Sequence, residues 1–178
     1  NGFYFDMGPS WYWMPDVFEK FFNQFGKSAA DYYKLKKLDP GFQIIFNQNS
    51  TIKIPDSYRK LKALFETIES GSGIQLDSFM KEAEFKYNFS MKSLVYNPGL
   101  SFTEFINKGI FKNIFKLELF KSYKSHVAKH FKDPQLRILL EFPVLFLGTA
   151  PKDTPALYSL MAYYGFIQGT YYPIGGFD

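Results

Sequence analysis

Cysteine is absent from the sequence, which excludes disulfide bonds, thiolate metal ligands and cysteine nucleophiles. Long apolar runs are absent too, since no stretch approaches the roughly 18–20 apolar residues that a membrane-spanning helix needs. A glycine-rich dinucleotide loop is missing, because Gly71-Ser72-Gly73 lacks the third glycine and the preceding strand of that motif. Ser159 has no glycine-flanked elbow, which argues against a hydrolase. A net charge of only +4 and the absence of a known binding motif argue against a nucleic-acid partner.

Aromatic residues are what the sequence has in excess. Phe, Tyr and Trp make up 21% of the 178 residues, whereas the apolar fraction of 46% and the charged fraction of 21% are ordinary. A large ring can bury roughly 150–250 Å². So many rings either fill an unusually ring-rich core or line a cavity or contact surface. We therefore expect at least one apolar cavity or exposed apolar patch.

The apolar periodicity predicts a helix-rich α+β fold with a small antiparallel sheet. A hairpin is predicted from β-rich segments at 42–46 and 51–54, separated by a turn-like Asn-Gln-Asn-Ser sequence. Short strands are also expected near both ends, at 2–6 and 170–172. Helices are predicted over 17–25, 58–68, 76–89, 110–120, 123–131, 134–147 and 155–166.

Two charged patterns have more than one interpretation. Lysines recur from Lys108 to Lys132, and over 110–117 they alternate with apolar residues at helical spacing. This pattern is typical of a basic amphipathic helix on an anionic membrane, or of an ordinary solvated face. His126 and His130 would share one side of a helix. No carboxylate or third histidine accompanies them at ligand spacing, so the sequence predicts no metal site.

Four segments, taken in order, carry a family resemblance. They are Gly2-Phe3-x-Phe5-Asp6-x-Gly8-Pro9; Tyr32-Tyr33 through Leu38-Asp39-Pro40; Leu100-Ser101-Phe102-x-Glu104 with the later Phe131-Lys132-Asp133-Pro134; and Phe142 through Leu147-Gly148 to Tyr172-Pro173-x-Gly175-Gly176. In this order and spacing the chain resembles the bacterial phytoene (carotenoid) desaturase family, a branch of the flavin amine oxidase-like enzymes.

The resemblance implies an FAD-dependent oxidoreductase that dehydrogenates a long apolar polyene such as phytoene. The absence of cysteine fits a cytoplasmic protein, and the lysine-rich segment is suited to peripheral contact with the inner membrane, so we expect that location. The resemblance also implies that residues 1–178 form one partial, substrate-binding domain excised from a larger flavoprotein, with the FAD-binding regions outside it. We therefore expect the chain alone to be inactive, to bind no FAD, and to dimerise through exposed apolar surface. Two alternatives are a saturase or isomerase of related polyenes, and a non-catalytic lipid- or membrane-binding module with an aromatic cavity.

Glu104 is the candidate catalytic residue, because it matches the acidic position after the Leu-Ser-Phe segment of the family. It would accept the proton that dehydrogenation releases. Many relatives have an arginine directly before this acid, whereas this chain has Thr103. The alternative is structural, since Glu104 stands three residues after Ser101 and could close a capping box.

The other candidates would hold substrate or cofactor. A hydrocarbon has no group for hydrogen bonding, so its recognition must come from shape and apolar burial at roughly 25 cal/mol per Å². Three consecutive rings in an extended segment cannot all point into one core, so at least one of residues 11–13 should face a cavity or a partner. The substrate-binding candidates are Trp11, Tyr12, Trp13, Met14, Phe102, Phe142, Phe146, Tyr158 and Met161. The resemblance places Asp6, Gly8, Pro9, Gly175 and Gly176 beside the flavin.

Overall fold

The fold is α+β, as the sequence predicts, with helices and two small antiparallel sheets. The computed structural model describes residues 2, 5–8, 11–93, 95–96, 113 and 115–177. The chain divides into two compact units. The first comprises Asn1–Leu61 and Tyr164–Asp178, and the second comprises Lys62–Tyr163.

The first unit joins the two ends of the chain through strand pairing. Its elements are helix α1 (Pro15–Asn23), a 3-10 turn (Ala29–Asp31), strands β1 (Leu35–Lys37), β2 (Phe42–Asn47), β3 (Ser50–Ile54) and β4 (Tyr171–Pro173), and a π-helical turn (Tyr164–Gln168). β1 pairs with β4, with Lys36 opposite Tyr172. Strands distant in sequence are therefore neighbours in the fold.

The predicted hairpin is confirmed as the pair β2 and β3. Its register places Phe42 opposite Ile54 and Ile44 opposite Ile52. Alternate residues of a strand share one face, so these apolar side chains lie together, and Phe42, Ile52 and Ile54 are buried. The predicted strand at the end of the chain is confirmed as β4. Of the strand predicted over 2–6, the structure describes residues 2, 5 and 6, and none of these three lies in a strand.

The second unit is helical. Its elements are α3 (Ser72–Ser93), α4 (Tyr123–His130), α5 (Pro134–Glu141), 3-10 helices Phe142–Leu147 and Ala156–Ser159, and α6 (Leu160–Tyr163), while α2 (Tyr58–Ile68) crosses the boundary between the units. One face of α3 supplies Leu76, Phe79, Met80 and Ala83 to the core. Their 3–4 spacing is the helical periodicity in the sequence.

Two predicted helices are shorter than their apolar patterns indicate. The segment predicted as one helix over 134–147 changes to a 3-10 helix after Glu141, because Pro143 has no backbone N–H for the α-helical ladder. The helix predicted over 110–120 ends, in its described part, at Leu117. Glu118 there adopts a left-handed backbone conformation with φ 49°, which an α-helix does not accommodate.

A buried ion pair explains the position of Glu118. Lys86 on α3 is only 1% exposed, and its Nζ donates to Glu118 Oε2 at 2.8 Å and to the Ser159 hydroxyl at 3.2 Å. Lys121 also contacts the Glu118 carboxylate, at 3.1 Å. Burial alone would raise the pKa of Glu118, but the hydrogen bond from Lys86 and the neighbouring positive charges outweigh it and lower this pKa to about 2. Burial lowers the pKa of Lys86, and Glu118 opposes that shift.

We expect Lys86→Met to lower the free energy of unfolding by about 1–3 kcal/mol at neutral pH, because it removes the main partner of a carboxylate that is only 18% exposed. The pKa of Glu118 is lower in the folded state, so this pair stabilises the protein above pH 4.5, and its contribution is lost as the pH falls towards 2. Urea unfolding followed by circular dichroism at several pH values measures both effects. Lys92→Met, an exposed change on the same helix, is the control. Equal losses in the two variants, or a difference that does not shrink in acid, would contradict this account.

Candidate functional site

An open apolar groove lies in the first unit, between α1 and the segments that pair with β4. It measures about 520 Å³ and is lined by Tyr12, Val17, Phe18, Phe21, Phe22 and Tyr33, a set that we call the aromatic groove. Phe18 is 45% exposed and Phe21 is 55% exposed. Exposed rings in one continuous patch are typical of a surface that binds an apolar ligand or partner.

The groove exists because α1 turns its apolar face outwards. Pro15 and Asp16 occupy the first turn, where a missing N–H and a negative charge are both favourable. The Tyr164 hydroxyl bonds to Asp16 and holds this end of the helix. No residue of α1 is fully buried, so its rings serve the groove rather than a core. The sequence predicts the apolar face of this helix, but the same spacing normally indicates a core face, so it does not identify Phe18, Phe21 and Phe22 as site residues.

Tyr12 and Tyr33 form a wall of the groove whose polar atoms bond to each other. Their hydroxyl groups are hydrogen bonded. Burial raises the pKa of Tyr12, and the bond to Tyr33 raises it further, so this hydroxyl is neutral at ordinary pH. The backbone of Tyr12 is fixed by two hydrogen bonds to Tyr171, at 2.9 and 3.1 Å. Because the two hydroxyl groups bond to each other, this wall presents ring surface to the groove, and its polar atoms need no water molecule as a partner.

Trp11 and Trp13 lie on the other face of the same extended segment. The two rings stack at 5.9 Å, and Trp11 lies 5.3 Å from the ring of Phe42. The indole N–H of Trp13 donates to the Thr170 hydroxyl at 2.9 Å. A Cβ atom at Gly165 would lie 3.0 Å from the Trp13 ring, so a larger residue there would push this ring aside. Tyr12 is thus the member of the three-ring run that lines the groove.

The remaining substrate-binding candidates lie at different places in the fold. Met14 precedes α1 with φ 61° and does not line the groove. Phe142 and Phe146 belong to the second unit, where their rings lie 5.9 Å apart edge to face. Tyr158 and Met161 are half-buried in that same unit. Phe102, Glu104 and Pro9 lie outside the described residues.

A second, smaller cavity lies beside the aromatic groove, near residues 173–177. It measures about 280 Å³, shares Tyr12 and Tyr33 with the groove, and adds Tyr32, Pro173, Gly176 and Phe177. Here the structure brings together two of the cofactor candidates. A Cβ atom at Gly176 would lie 3.2 Å from Asp6 Oδ1. That carboxylate accepts hydrogen bonds from the Tyr172 hydroxyl and, at 3.1 Å, from the backbone N–H of Phe177.

The electrostatics of Asp6 follow from these bonds. The hydrogen bond from Tyr172 is the main cause that lowers the pKa of Asp6, and the Phe177 N–H adds to it. Because its oxygens are engaged within the chain, Asp6 orders the segment that carries Gly176. Its observed contacts are with residues of its own chain, which it holds in place.

Two glycines allow close approach of a flat group. Gly8 and Gly175 have φ values of 106° and 107°, and no atom lies within 4 Å of the position that a Cβ would take at either residue. Bare backbone of this kind lets a ring or a phosphate approach more closely than a side chain would permit. That these glycines lie beside a flavin stays a prediction from the resemblance, and the dinucleotide-binding loop has no counterpart in the sequence.

Comparison with known proteins points to one group of enzymes. No protein-family model matches the chain. The carotenoid 3,4-desaturase of Haloarcula japonica is 37% identical over 177 residues, which are 99% of this chain and 36% of that protein. The phytoene desaturase of Phycomyces blakesleeanus is 30% identical over 100% of this chain and 31% of its own length. A 4,4'-diapophytoene desaturase of Staphylococcus aureus is 28% identical over 99% and 35%. The chain thus spans about a third of the length of the curated relatives that it matches.

We expect Phe21→Ala to weaken binding of an apolar fluorescent probe, such as a diphenylpolyene, by roughly tenfold, because a large part of one ring's burial is lost. Fluorescence titration measures the dissociation constant. Since α1 has no fully buried residue, the variant should keep its fold, which circular dichroism checks. Ile45→Ala removes an exposed apolar side chain of β2 outside the groove and should leave the dissociation constant unchanged. Equal effects of the two changes would show that the probe does not bind in the groove.

Proposed function

We propose, because this chain belongs to the carotenoid desaturase family, that it forms the substrate-binding part of an FAD-dependent enzyme that dehydrogenates a long apolar polyene. The observation that carries the proposal is the aromatic groove, with the smaller cavity beside it at Gly176 and Phe177. A rod-like hydrocarbon in this groove would have one end towards Gly176, which the resemblance places beside the flavin.

The groove suits a ligand without polar groups. Its rings can bury hydrocarbon at roughly 25 cal/mol per Å², and a long ligand contacts many of them at once. The hydroxyl groups of Tyr12 and Tyr33 bond to each other, so an apolar ligand would not leave them unpaired. An apolar wall of this kind also excludes water from the bound segment of the polyene.

FAD, when bound, supplies the acceptor for the hydride that leaves the substrate. We propose that Gly8 and Gly175 allow its close approach, and that Asp6 orders the adjoining turn by accepting bonds from Tyr172 and Phe177. Pro9 remains a candidate neighbour of the cofactor. Residues 1–178 alone should neither retain FAD nor turn over substrate, because the sequence has no dinucleotide-binding loop.

Membrane contact is a separate proposal. Lys116, Lys124, Lys129 and Lys132 are exposed, which is compatible with attraction to anionic lipid, and a lipid-dissolved substrate would be collected there. Among the described residues no helix is long and apolar enough to cross a bilayer. Salt-sensitive sedimentation with anionic vesicles tests this contact. Dimerisation through exposed apolar surface remains a prediction from the sequence.

The proposed activity is tested with the complete gene product. Incubated with phytoene and with diapophytoene, it should carry bound flavin and form products with a longer conjugated system, which chromatography and absorbance detect. Polyene binding without flavin and without a new product would favour the alternative, a non-catalytic lipid-binding module. A product with fewer double bonds, or an isomer, would identify a saturase or an isomerase.

Glu104→Gln separates the two roles of that residue in the same assay. Glutamine can close a capping box as glutamate does, but it cannot accept a proton. If Glu104 is the base, kcat should fall by roughly 10²–10⁴-fold while KM and thermal stability hardly change. Thr103→Ala, beside it in sequence, is the control and should keep nearly full activity. Full activity of Glu104→Gln would show that Glu104 is only a helix cap.

A further inference from the structure

Two histidines and a carboxylate converge inside the second unit. His126 and His130 lie one turn apart on α4, and Glu82 reaches them from α3. His126 Nε2 is 3.8 Å from Glu82 Oε2, and His130 Nε2 is 3.7 Å from Glu82 Oε1. One donor atom from each of the three residues lies within 4.8 Å of the others. The three donor atoms are therefore close enough together for one metal ion to bind between them.

Within the described part of the chain, the two imidazoles have unmet bonding capacity. His126 is fully buried, and neither its Nε2 nor that of His130 has a hydrogen-bond partner. A buried polar atom without a partner is rare in folded proteins, and a bound ion is one of the arrangements that satisfy it. The ring of Phe79 packs 5.3 Å from His126 and 5.5 Å from His130, which holds both imidazoles in place.

The distances suit a tetrahedral metal ion. Zinc binds histidine nitrogen and carboxylate oxygen at roughly 2.0–2.2 Å, so two of its ligand atoms are about 3.4 Å apart. The separations of 3.7 and 3.8 Å, which involve the two different oxygens of Glu82, exceed this value by a few tenths of an ångström. One ligand atom from each of the three residues lies within 4.8 Å of the others, so the partly exposed Glu82 side chain and the imidazoles would have to move closer together around a bound ion.

A second carboxylate lies near the other nitrogen of His126. Nδ1 of His126 lies 2.7 Å from Glu118 Oε2, within hydrogen-bond distance although not aligned with the N–H direction. Histidine ligands usually donate their second N–H to a carboxylate, which fixes the tautomer and directs the other nitrogen at the metal. Lys86 and Lys121 both bond to this same carboxylate of Glu118.

The cluster can be reached from solvent. The Glu82 side chain is 39% exposed. A cavity of about 400 Å³ is lined by Glu82 and Glu118 together with Lys81, Phe85, Phe115 and Lys116. An ion could enter by this route, and a water molecule could occupy the fourth coordination position.

We propose that Glu82, His126 and His130 bind a divalent transition-metal ion, with Zn²⁺ the expected one, and that the ion ties α3 to α4. Imidazole and carboxylate ligands suit zinc among the borderline metals. The proposal departs from the sequence prediction of no metal site. The two histidines are visible in the sequence, but their carboxylate partner lies on another helix and is joined to them only by the packing of the unit.

Titration of the untagged, chelator-treated protein with Zn²⁺ tests the proposal. We expect one ion per chain, a rise in the melting temperature, and, with Co²⁺ as substitute, visible absorption of a tetrahedral site. Glu82→Gln and His130→Gln should each weaken binding by about 10–100-fold or more, since loss of even an outer partner has that effect. Glu84→Gln, an exposed change on the same helix, should bind as the parent does.

Two results would overturn the proposal. One is no saturable Zn²⁺ binding by the parent protein. The other is binding that Glu82→Gln and His130→Gln leave unchanged, which would identify an adventitious ion at the surface. Circular dichroism reports whether each variant is folded. Should His130→Gln not fold, the partly exposed Glu82→Gln decides the matter.

Discussion

The backbone pairing of Tyr12 with Tyr171 is the contact on which the first unit depends, because it joins segments that are far apart in sequence. Two hydrogen bonds fix the extended segment before α1 against β4. Side chains of an extended segment alternate between faces, so the pairing directs Tyr12 to the aromatic groove and Trp13 to Thr170. It also brings Asp6 within reach of Tyr172 and Phe177. The groove and the glycine-bearing turn are thus consequences of one strand contact.

The second constraint is that a hydrocarbon ligand has no hydrogen-bonding groups. A hydrocarbon gains nothing from hydrogen-bonding groups, and any such group left unpaired in its site would oppose binding. The aromatic groove meets this condition because the hydroxyl groups of Tyr12 and Tyr33 bond to each other and the rest of its lining is apolar. Other polar side chains of the first unit that bond within the chain, such as Asp6, Asp16 and Thr170, are not among the groove lining. In the second unit polar side chains meet in the buried cluster around Lys86 and Glu118, where charged groups bond to one another.

Local patterns in the sequence predict much of the fold. The hairpin, the helices at 58–68 and 123–130 and the final strand follow from alternation, 3–4 spacing and turn residues. Three features could not be predicted in this way. β1 has only three residues, two of them lysines, and exists because β4 pairs with it. Glu118 leaves the helical conformation because of Lys86, 32 residues earlier, and the two histidines of α4 meet Glu82 through tertiary packing. Each depends on partners that sequence spacing does not reveal.

Sequence patterns likewise predict only part of the candidate site. Tyr12, Asp6 and Gly176 lie at or beside the groove, whereas the rings of α1 that line most of it carry the same pattern as a core face. The central claim is that the aromatic groove holds the polyene. A crystal structure of the complete gene product with a bound polyene tests it most directly. The account predicts a continuous rod of electron density against Tyr12, Phe18 and Phe21, directed towards Phe177. Density that leaves this groove empty and lies against other residues would contradict it.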